Sequence, residues 1–222
     1  MTHATTESTA ARVVAGLGLV RAKVALVGCA LVVALAGMLT GCASLPGSVQ
    51  RPVSQARTDV AGTRLAAVAA ASTPEGSRQL SGMRLLPDGD QAFEARIALA
   101  RAAEKTIDVQ YYQIADDTSG RQFLRELRDA AARAVRVRVL VDDLHAAGQD
   151  ALLAGLAAHP NVELRMFNPL PVRDGSVGSR VLFSLHEFSR VNRRMHNKLF
   201  VVDNVFAISG GRNIANEYFG RS

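Results

Sequence analysis

His196, Lys198 and Asn213 carry side chains that could together act on a phosphate ester. A neutral imidazole can attack phosphorus, and a lysine can hold the negatively charged oxygens around it. Asn213 adds a neutral donor, and the backbone at Gly210 and Gly211 permits the close approach of an anion. We therefore predict that these five residues bind and cleave a phosphodiester, with the asparagine and the glycines in substrate binding.

Two short apolar runs position these residues. Residues 201–202 and 205–208 are apolar, Asn204 lies between them as a turn residue, and Gly210-Gly211 follows the second run. This pattern predicts two β-strands joined by a tight turn. Because side chains alternate along a strand, His196 and Lys198 are predicted to share a face of the first strand with Phe200.

The spacing His-x-Lys-x4-Asp over residues 196–203, followed by Gly-Gly-x-Asn at 210–213, resembles the HKD motif of the phospholipase D superfamily. Other stretches resemble the bacterial cardiolipin synthase branch, particularly its C-type members. In chain order they are residues 107–112, 139–143, 167–169 and 192–198. The resemblance extends from about residue 85 to residue 220.

The resemblance implies roles for the motif residues. In this superfamily one HKD histidine forms a phosphohistidine, and a second HKD histidine protonates the leaving group. His196 would be the nucleophile or its acid counterpart, and Lys198 and Asn213 would bind the phosphoryl oxygens, with neither a metal nor an organic cofactor. Asp203 belongs to the catalytic signature, but it lies beyond a buried strand, so we expect its role to be structural.

Residues 168–195 form a long stretch without a clear period, and stretches of this length are usually functional or mobile. It brings Arg190, Arg193 and Arg194 close to His196 in sequence. These arginines form either a solvated basic face or a guanidinium cluster that draws phosphate headgroups toward the site. On the second interpretation Arg193 and Arg194 bind substrate.

Charge and cysteine content limit the possible functions. The 222 residues carry a net charge of +6, and beyond residue 41 there are 23 basic and 19 acidic residues, which suits an anionic substrate or membrane surface. The two cysteines are Cys29 and Cys42. If the first is removed and the second is acylated, no thiol remains for a disulfide or a metal site, so we predict neither.

Residues 1–41 are predicted to be a lipoprotein signal peptide. Basic residues precede a continuous apolar run over residues 24–39, which ends in Leu39-Thr40-Gly41-Cys42. Cleavage before Cys42 would leave a lipidated thiol, whereas an uncleaved anchor helix is the alternative. Ala43 follows the cysteine, so we expect a bacterial envelope protein that is lipid-anchored at the outer membrane and faces the periplasm.

Residues 42–80 are predicted to be the lipid anchor and a flexible linker, because Ser, Gly, Pro, Ala and Thr dominate them. Residues 81–222 alternate helical and strand patterns with mostly apolar strands, which predicts a layered α/β domain. The resemblance makes this domain one lobe of a normally two-lobed enzyme. The helix before Val135 ends in Arg133-Ala134, where relatives have glycine, so we expect a different or slightly strained turn.

Residues 190–217 contain one copy of the motif, and the rest of the sequence contains no second His-x-Lys. Three explanations remain: a fragment, a truncated gene, or two chains that meet about a twofold axis. We expect a fragment or truncation, because the cardiolipin synthase branch is bilobal. A second HKD half or a homodimer partner would then be required for activity, and residues 1–222 alone should be inactive or very weak.

The resulting functional prediction is a membrane-tethered phosphatidyltransferase or phospholipase of cardiolipin synthase type, with phospholipid as substrate. One alternative is a single-motif phosphodiesterase or nuclease that is active as a homodimer. Nucleic acid is the less expected partner, because few aromatic residues near His196 could stack on bases. The non-enzymatic alternative is an inactive lipoprotein that binds anionic lipid.

Overall fold

The computed structural model describes residues 49–50, 52–77, 79–172, 176–182, 184 and 187–221, together with helical positions 23, 26 and 28. Residues 45–222 form one compact unit, which contains every element named below. The predicted lipidation residue Cys42 and nearly all of the predicted signal peptide lie outside the described residues. Across the described positions, no helix is both long and apolar enough to cross a membrane.

A five-stranded mixed sheet forms the centre of the domain. The strands are β1 (Thr106–Tyr111), β2 (Arg136–Asp142), β3 (Val162–Phe167), β4 (Lys198–Val202) and β5 (Phe206–Ser209). Their order in the sheet is β3-β2-β1-β4-β5. Strands β1, β2 and β3 run parallel, whereas β4 runs antiparallel to both β1 and β5. The sequence prediction of alternating strands and helices is confirmed.

Two helix starts follow directly from local sequence. Asp88 accepts a hydrogen bond from the Gln91 amide, and Asp117 accepts one from the Gly120 amide, as N-cap carboxylates do. The helices are α1 (Arg64–Ser72), α2 (Gly89–Ala102), α3 (Thr118–Ala132), α4 (Asp150–Ala157), α5 (Val177–Leu182) and α6 (Phe188–Val191). Short 3-10 turns lie at Asp143–His145 and Asn216–Tyr218.

The hydrophobic core lies between one face of the sheet and helices α2 and α3. Cross-strand neighbours such as Val109 and Phe200 point to this face, and both are buried. Phe93 of α2 and Phe123 of α3 are fully buried in the same cluster. This packing fixes the register of the central strands, because a slip by one residue would turn the apolar side chains to the other face.

The opposite face of the sheet is polar, and part of the predicted linker lies on it. Arg138 of β2 forms an ion pair with Asp108 of β1 and donates to Ser54 Oγ at 3.3 Å. Arg136 donates to the Gln55 carbonyl at 2.6 Å. The linker also contains helix α1, whose Leu65 joins the core. The mobility predicted for residues 42–80 stays a prediction.

The expected irregularity after α3 is present. Ala134 has a φ of 68°, and the Val135 amide donates to the Ala130 carbonyl at 3.2 Å. A left-handed alanine at this position costs about 1 kcal/mol relative to glycine, so the strained alternative is confirmed. By contrast, glycine is required at Gly120, where an added Cβ would lie 1.8 Å from the Ala115 carbonyl oxygen.

Candidate active site

The candidate site lies where the carboxyl ends of β1 and β2 meet the start of β4. Lys198, the first residue of β4, pairs with Tyr111 at the end of β1. The Tyr112 amide donates to the Asn197 carbonyl at 3.0 Å, which extends this pairing toward His196. Because β2 runs parallel and β4 antiparallel to β1, the segments that follow β1 and β2 and the segment that precedes β4 meet at the same end of the sheet.

His196 is exposed and lies in the extended segment just before β4. The prediction that it begins the strand is therefore corrected: β4 starts at Lys198. Tyr112 supports the imidazole, with 4.0 Å between the ring centroids and 35° between the ring planes. Among the described residues, neither ring nitrogen of His196 has a hydrogen-bond partner, so both are available to a ligand.

Lys198 lies beside the same aromatic ring. Its Nζ is 5.1 Å from the Tyr112 centroid and donates to the His196 carbonyl at 2.9 Å. Burial lowers the pKa of Lys198 from its ordinary value. Among the described residues, no carboxylate pairs with the Lys198 ammonium. A negatively charged phosphate oxygen could therefore serve as its counter-ion.

Asn213 is 4 % exposed, and its side-chain amide donates to the Tyr218 hydroxyl at 3.0 Å. Its Oδ1 is buried without a partner among the described residues. A bridge between Ile114 and Ile214 attaches this segment to the loop after β1. One amide hydrogen of Asn213 is used by Tyr218, and the other remains for a ligand. Phosphate binding by Asn213 stays a prediction.

Gly210 and Gly211 are exposed, and a Cβ at either would meet nothing within 4 Å. Neither has a φ in the left-handed region. The packing of the described chain therefore does not require glycine at either position, and their predicted contact with an anion remains to be tested.

Asp203 lies at the opposite end of β4 from His196. Its carboxylate is fully buried and accepts backbone hydrogen bonds from Glu104, Lys105 and Thr106 at 3.1, 2.8 and 2.9 Å. Asp203 and Asn204 both have positive φ and form the turn between β4 and β5. These contacts agree with the structural role expected for Asp203, and they hold it away from the imidazole.

Arg194 is committed to the domain interior, which the sequence did not reveal. Its guanidinium forms an ion pair with the fully buried Asp142 at 3.1 Å and donates to the Asn168 carbonyl at 2.5 Å. Asp142 also accepts a hydrogen bond from the Met195 amide at 2.9 Å. These contacts anchor the backbone immediately before His196 and give Arg194 a positioning role, while the substrate contact predicted for Arg194 stays a prediction.

The other two arginines differ from each other. Arg190 pairs with Glu187 and donates to the Pro169 carbonyl at 2.8 Å. It therefore links the segment before His196 to the segment that follows β3. Arg193 is exposed, and its carbonyl accepts from the Asn168 side chain at 2.7 Å. Of the cluster expected to draw in phosphate, Arg193 is the member whose side chain lies open to solvent.

The sequence analysis missed His145 and the support role of Tyr112. The His145 ring centroid lies 4.8 Å from that of Tyr112, and the two ring planes are inclined at 78°. Burial is the main cause that lowers the pKa of His145. The charges of His196 and Arg194 lower this pKa further, whereas those of Asp142 and Glu217 oppose the shift. The available signal was positional: His145 and Tyr112 follow neighbouring parallel strands, whose carboxyl ends meet at one edge.

Among the described residues, no group of three or more His, Cys, Asp or Glu side chains is arranged so that it could hold a metal ion. Two buried acidic residues close to the site have partners. Asp142 pairs with Arg194, and Asp143 pairs with Arg180 at 2.8 Å, with both of the latter side chains fully buried.

Comparison with known proteins decides the family. The family model described as "Cardiolipin synthase, PLD-like domain" matches residues 97–222, which is more than half of the chain. The chain belongs to this phospholipase D-like family. The resemblance inferred from the HKD spacing is thereby confirmed.

Curated members of the family are similar over the same domain. The chain is 51 % identical to cardiolipin synthase C of Escherichia coli over 129 residues, or 58 % of this chain and 26 % of that protein. It is 36 % identical to cardiolipin synthase A of Pseudomonas entomophila over 141 residues, or 62 % of this chain and 26 % of that protein. The matched region thus spans about a quarter of each of these relatives.

Two solved structures are more distant. The phospholipase D family member Nuc from Salmonella typhimurium matches 56 % of this chain and 66 % of its own, at 19 % identity and a TM-score of 0.38. NucT from Helicobacter pylori matches 61 % and 76 %, at 16 % identity and a TM-score of 0.44.

Proposed function

We propose that this chain provides one half of a phosphatidyltransferase or phospholipase of cardiolipin synthase type, which acts on membrane phospholipids. The observation that carries the proposal is the exposed His196 imidazole, which Tyr112 supports and beside which Lys198 has no carboxylate partner among the described residues. A nucleophile next to an uncompensated cation suits an anionic phosphodiester. Membership of the cardiolipin synthase family supports the same substrate class.

The chemistry proceeds in two balanced steps. A neutral ring nitrogen of His196 attacks phosphorus, the P–N bond forms, and the P–O bond to the leaving alcohol breaks as that oxygen takes up a proton. The hydroxyl of an acceptor alcohol or of water then attacks phosphorus, loses its proton to a base, and breaks the P–N bond. Lys198 compensates the charge that gathers on the phosphoryl oxygens in both steps.

A second motif would supply the proton-transferring histidine in this proposal, either from the other half of a two-lobed enzyme or from a twofold partner. Lipidation at Cys42 would hold the domain at the bacterial outer membrane, facing the periplasm. A lipid anchor suits a substrate confined to the bilayer, because it keeps the domain near its substrate.

Nuclease activity is less well supported by the site. The aromatic ring in contact with His196 is Tyr112, which also contacts the His145 imidazole and lies 5.1 Å from the Lys198 ammonium. These contacts cover the Tyr112 ring, so it is not free to stack on a nucleobase.

The test is turnover of phosphatidylglycerol in mixed micelles by the full chain, alone and together with a second HKD half, with cardiolipin and phosphatidic acid measured as products across a range of protein concentrations. His196→Gln should abolish turnover and acid-labile phosphate incorporation. His159→Gln is the matched control, because His159 lies before β3 and its Nδ1 accepts a hydrogen bond from the Asn161 amide. Turnover that rises with the square of protein concentration would identify a twofold partner.

Each remaining result also has a defined meaning. Cleavage of single-stranded DNA but not of phospholipid would replace the lipid proposal with the nuclease alternative. Tight binding of anionic vesicles without turnover at any concentration, even after a second HKD half is added, would favour the inactive lipoprotein. Turnover that survives in His196→Gln would refute the histidine mechanism.

A further inference from the structure

We propose that His145 is a second phosphate-binding imidazole of this site and contacts the same phosphodiester as His196 and Lys198. This inference rests on the proposed function only for the identity of the ligand as a phosphodiester. The contact itself is inferred from the positions of the three side chains around Tyr112.

The turn that carries His145 is held rigidly. Asp142 accepts a hydrogen bond from the Leu144 amide at 2.9 Å and caps the 3-10 turn Asp143–His145. Asp143 is fully buried and pairs with the fully buried Arg180 at 2.8 Å. A turn fixed by two buried carboxylates holds its histidine in one place, as a binding residue requires.

The same carboxylate connects this turn to the nucleophile. Asp142 also accepts from the Met195 amide at 2.9 Å, one residue before His196. The two imidazoles thus approach Tyr112 from segments that share one anchor, with centroid distances of 4.8 Å and 4.0 Å to its ring. Because both rings contact Tyr112, their centroids lie at most 8.8 Å apart, the sum of 4.8 Å and 4.0 Å. A phosphate that accepts a hydrogen bond of about 2.8 Å on each of two oxygens can span such a gap.

The ring of His145 is available to a ligand. It is half-buried and, within the described residues, makes a ring contact with Tyr112 but no side-chain hydrogen bond. A half-buried imidazole with free nitrogens gains more from an external partner than a fully solvated one, because it has already lost part of its hydration.

The surrounding charges make this imidazole responsive to an anion. Burial is the largest effect on the pKa of His145 and lowers it; His196 and Arg194 lower it as well, while Asp142 and Glu217 raise it. These surroundings favour the neutral ring at neutral pH. A bound phosphate adds negative charge beside it, which raises the pKa and turns the imidazole into a cationic donor.

The experiment is a pH titration of the full chain, with histidine ring nitrogens observed by NMR, in the absence and presence of saturating dimethyl phosphate. We expect the His145 pKa to rise by about one unit. By linkage, that shift equals about tenfold tighter binding below both pKa values than above them. Inorganic phosphate forms a second arm, which separates a diester site from a general phosphate site.

Two variants complete the test. His145→Gln should weaken dimethyl phosphate binding at pH 5.5 about tenfold, whereas His159→Gln should leave it unchanged. His196→Ala should still show the ligand-induced rise in the His145 pKa. An unmoved His145 resonance at saturation, or equal binding by His145→Gln, would overturn the inference.

The outcomes separate this inference from the proposed function. A shifted His145 pKa in a chain that never turns over phospholipid supports the binding role while the catalytic proposal fails. Normal turnover that depends on His196, together with an unshifted His145, does the reverse.

Discussion

Replacing Asp203 by alanine should unfold the domain rather than remove a catalytic group. The carboxylate accepts three backbone hydrogen bonds, from Glu104, Lys105 and Thr106. Two of these donors are part-buried and that of Thr106 is buried, so leaving them unpaired costs roughly 1 kcal/mol each for the first two and 2 kcal/mol for the third. Alanine at a φ of 49° adds about 1 kcal/mol, for a total of about 5 kcal/mol.

A loss of this size is comparable to the whole stability of many domains. The assay is urea unfolding of the full chain by circular dichroism, with activity measured per folded molecule. Asp203→Asn is the matched variant, because asparagine tolerates a positive φ and keeps one acceptor oxygen, so it should lose about half as much stability. An Asp203→Ala protein that unfolds like the parent but has lost turnover would refute the structural role and make the carboxylate catalytic.

Substitutions at five single residues test further parts of the structure. Arg194→Gln should lower the free energy of unfolding by about 3 kcal/mol, since it leaves a buried carboxylate without its ion-pair partner. Arg193→Gln should weaken lipid binding and the salt dependence of that binding, while the free energy of unfolding and the saturated turnover stay unchanged. The pKa of His145 in the folded chain lies below its ordinary value of 6.5, so the unfolded chain binds more protons at this residue. The free energy of unfolding therefore falls as the pH drops from above 6.5 toward the folded pKa. His145→Gln should lose less of this free energy than the parent between about pH 7.5 and 5.5. Ala134→Gly should raise the free energy of unfolding by about 1 kcal/mol in urea titrations, and an unchanged midpoint would argue against strain there. Cys42→Ala should fail to mature and to float with membranes; maturation at the same mass with retained flotation would contradict lipidation.

The sequence by itself determined the local features of this protein. Alternation placed apolar side chains on one face of β1 and β2, and Asp88 and Asp117 began two helices, because N-caps and strand faces depend on residues a few positions apart. The left-handed Ala134 was also foreseeable, since the helix had to end there without a glycine. The HKD spacing indicated the family for the same reason: its residues lie within one hairpin.

Only the tertiary structure decided which distant residues share the site. His145 and His196 are 51 positions apart in the sequence, and both contact the Tyr112 ring because β1 lies between parallel β2 and antiparallel β4. The arginines show the same limit. Three guanidiniums read alike in the sequence, but a buried Asp142 draws Arg194 inward while Arg193 stays in solvent. Burial of a charge depends on a partner supplied by another strand, and a one-dimensional pattern does not contain that partner.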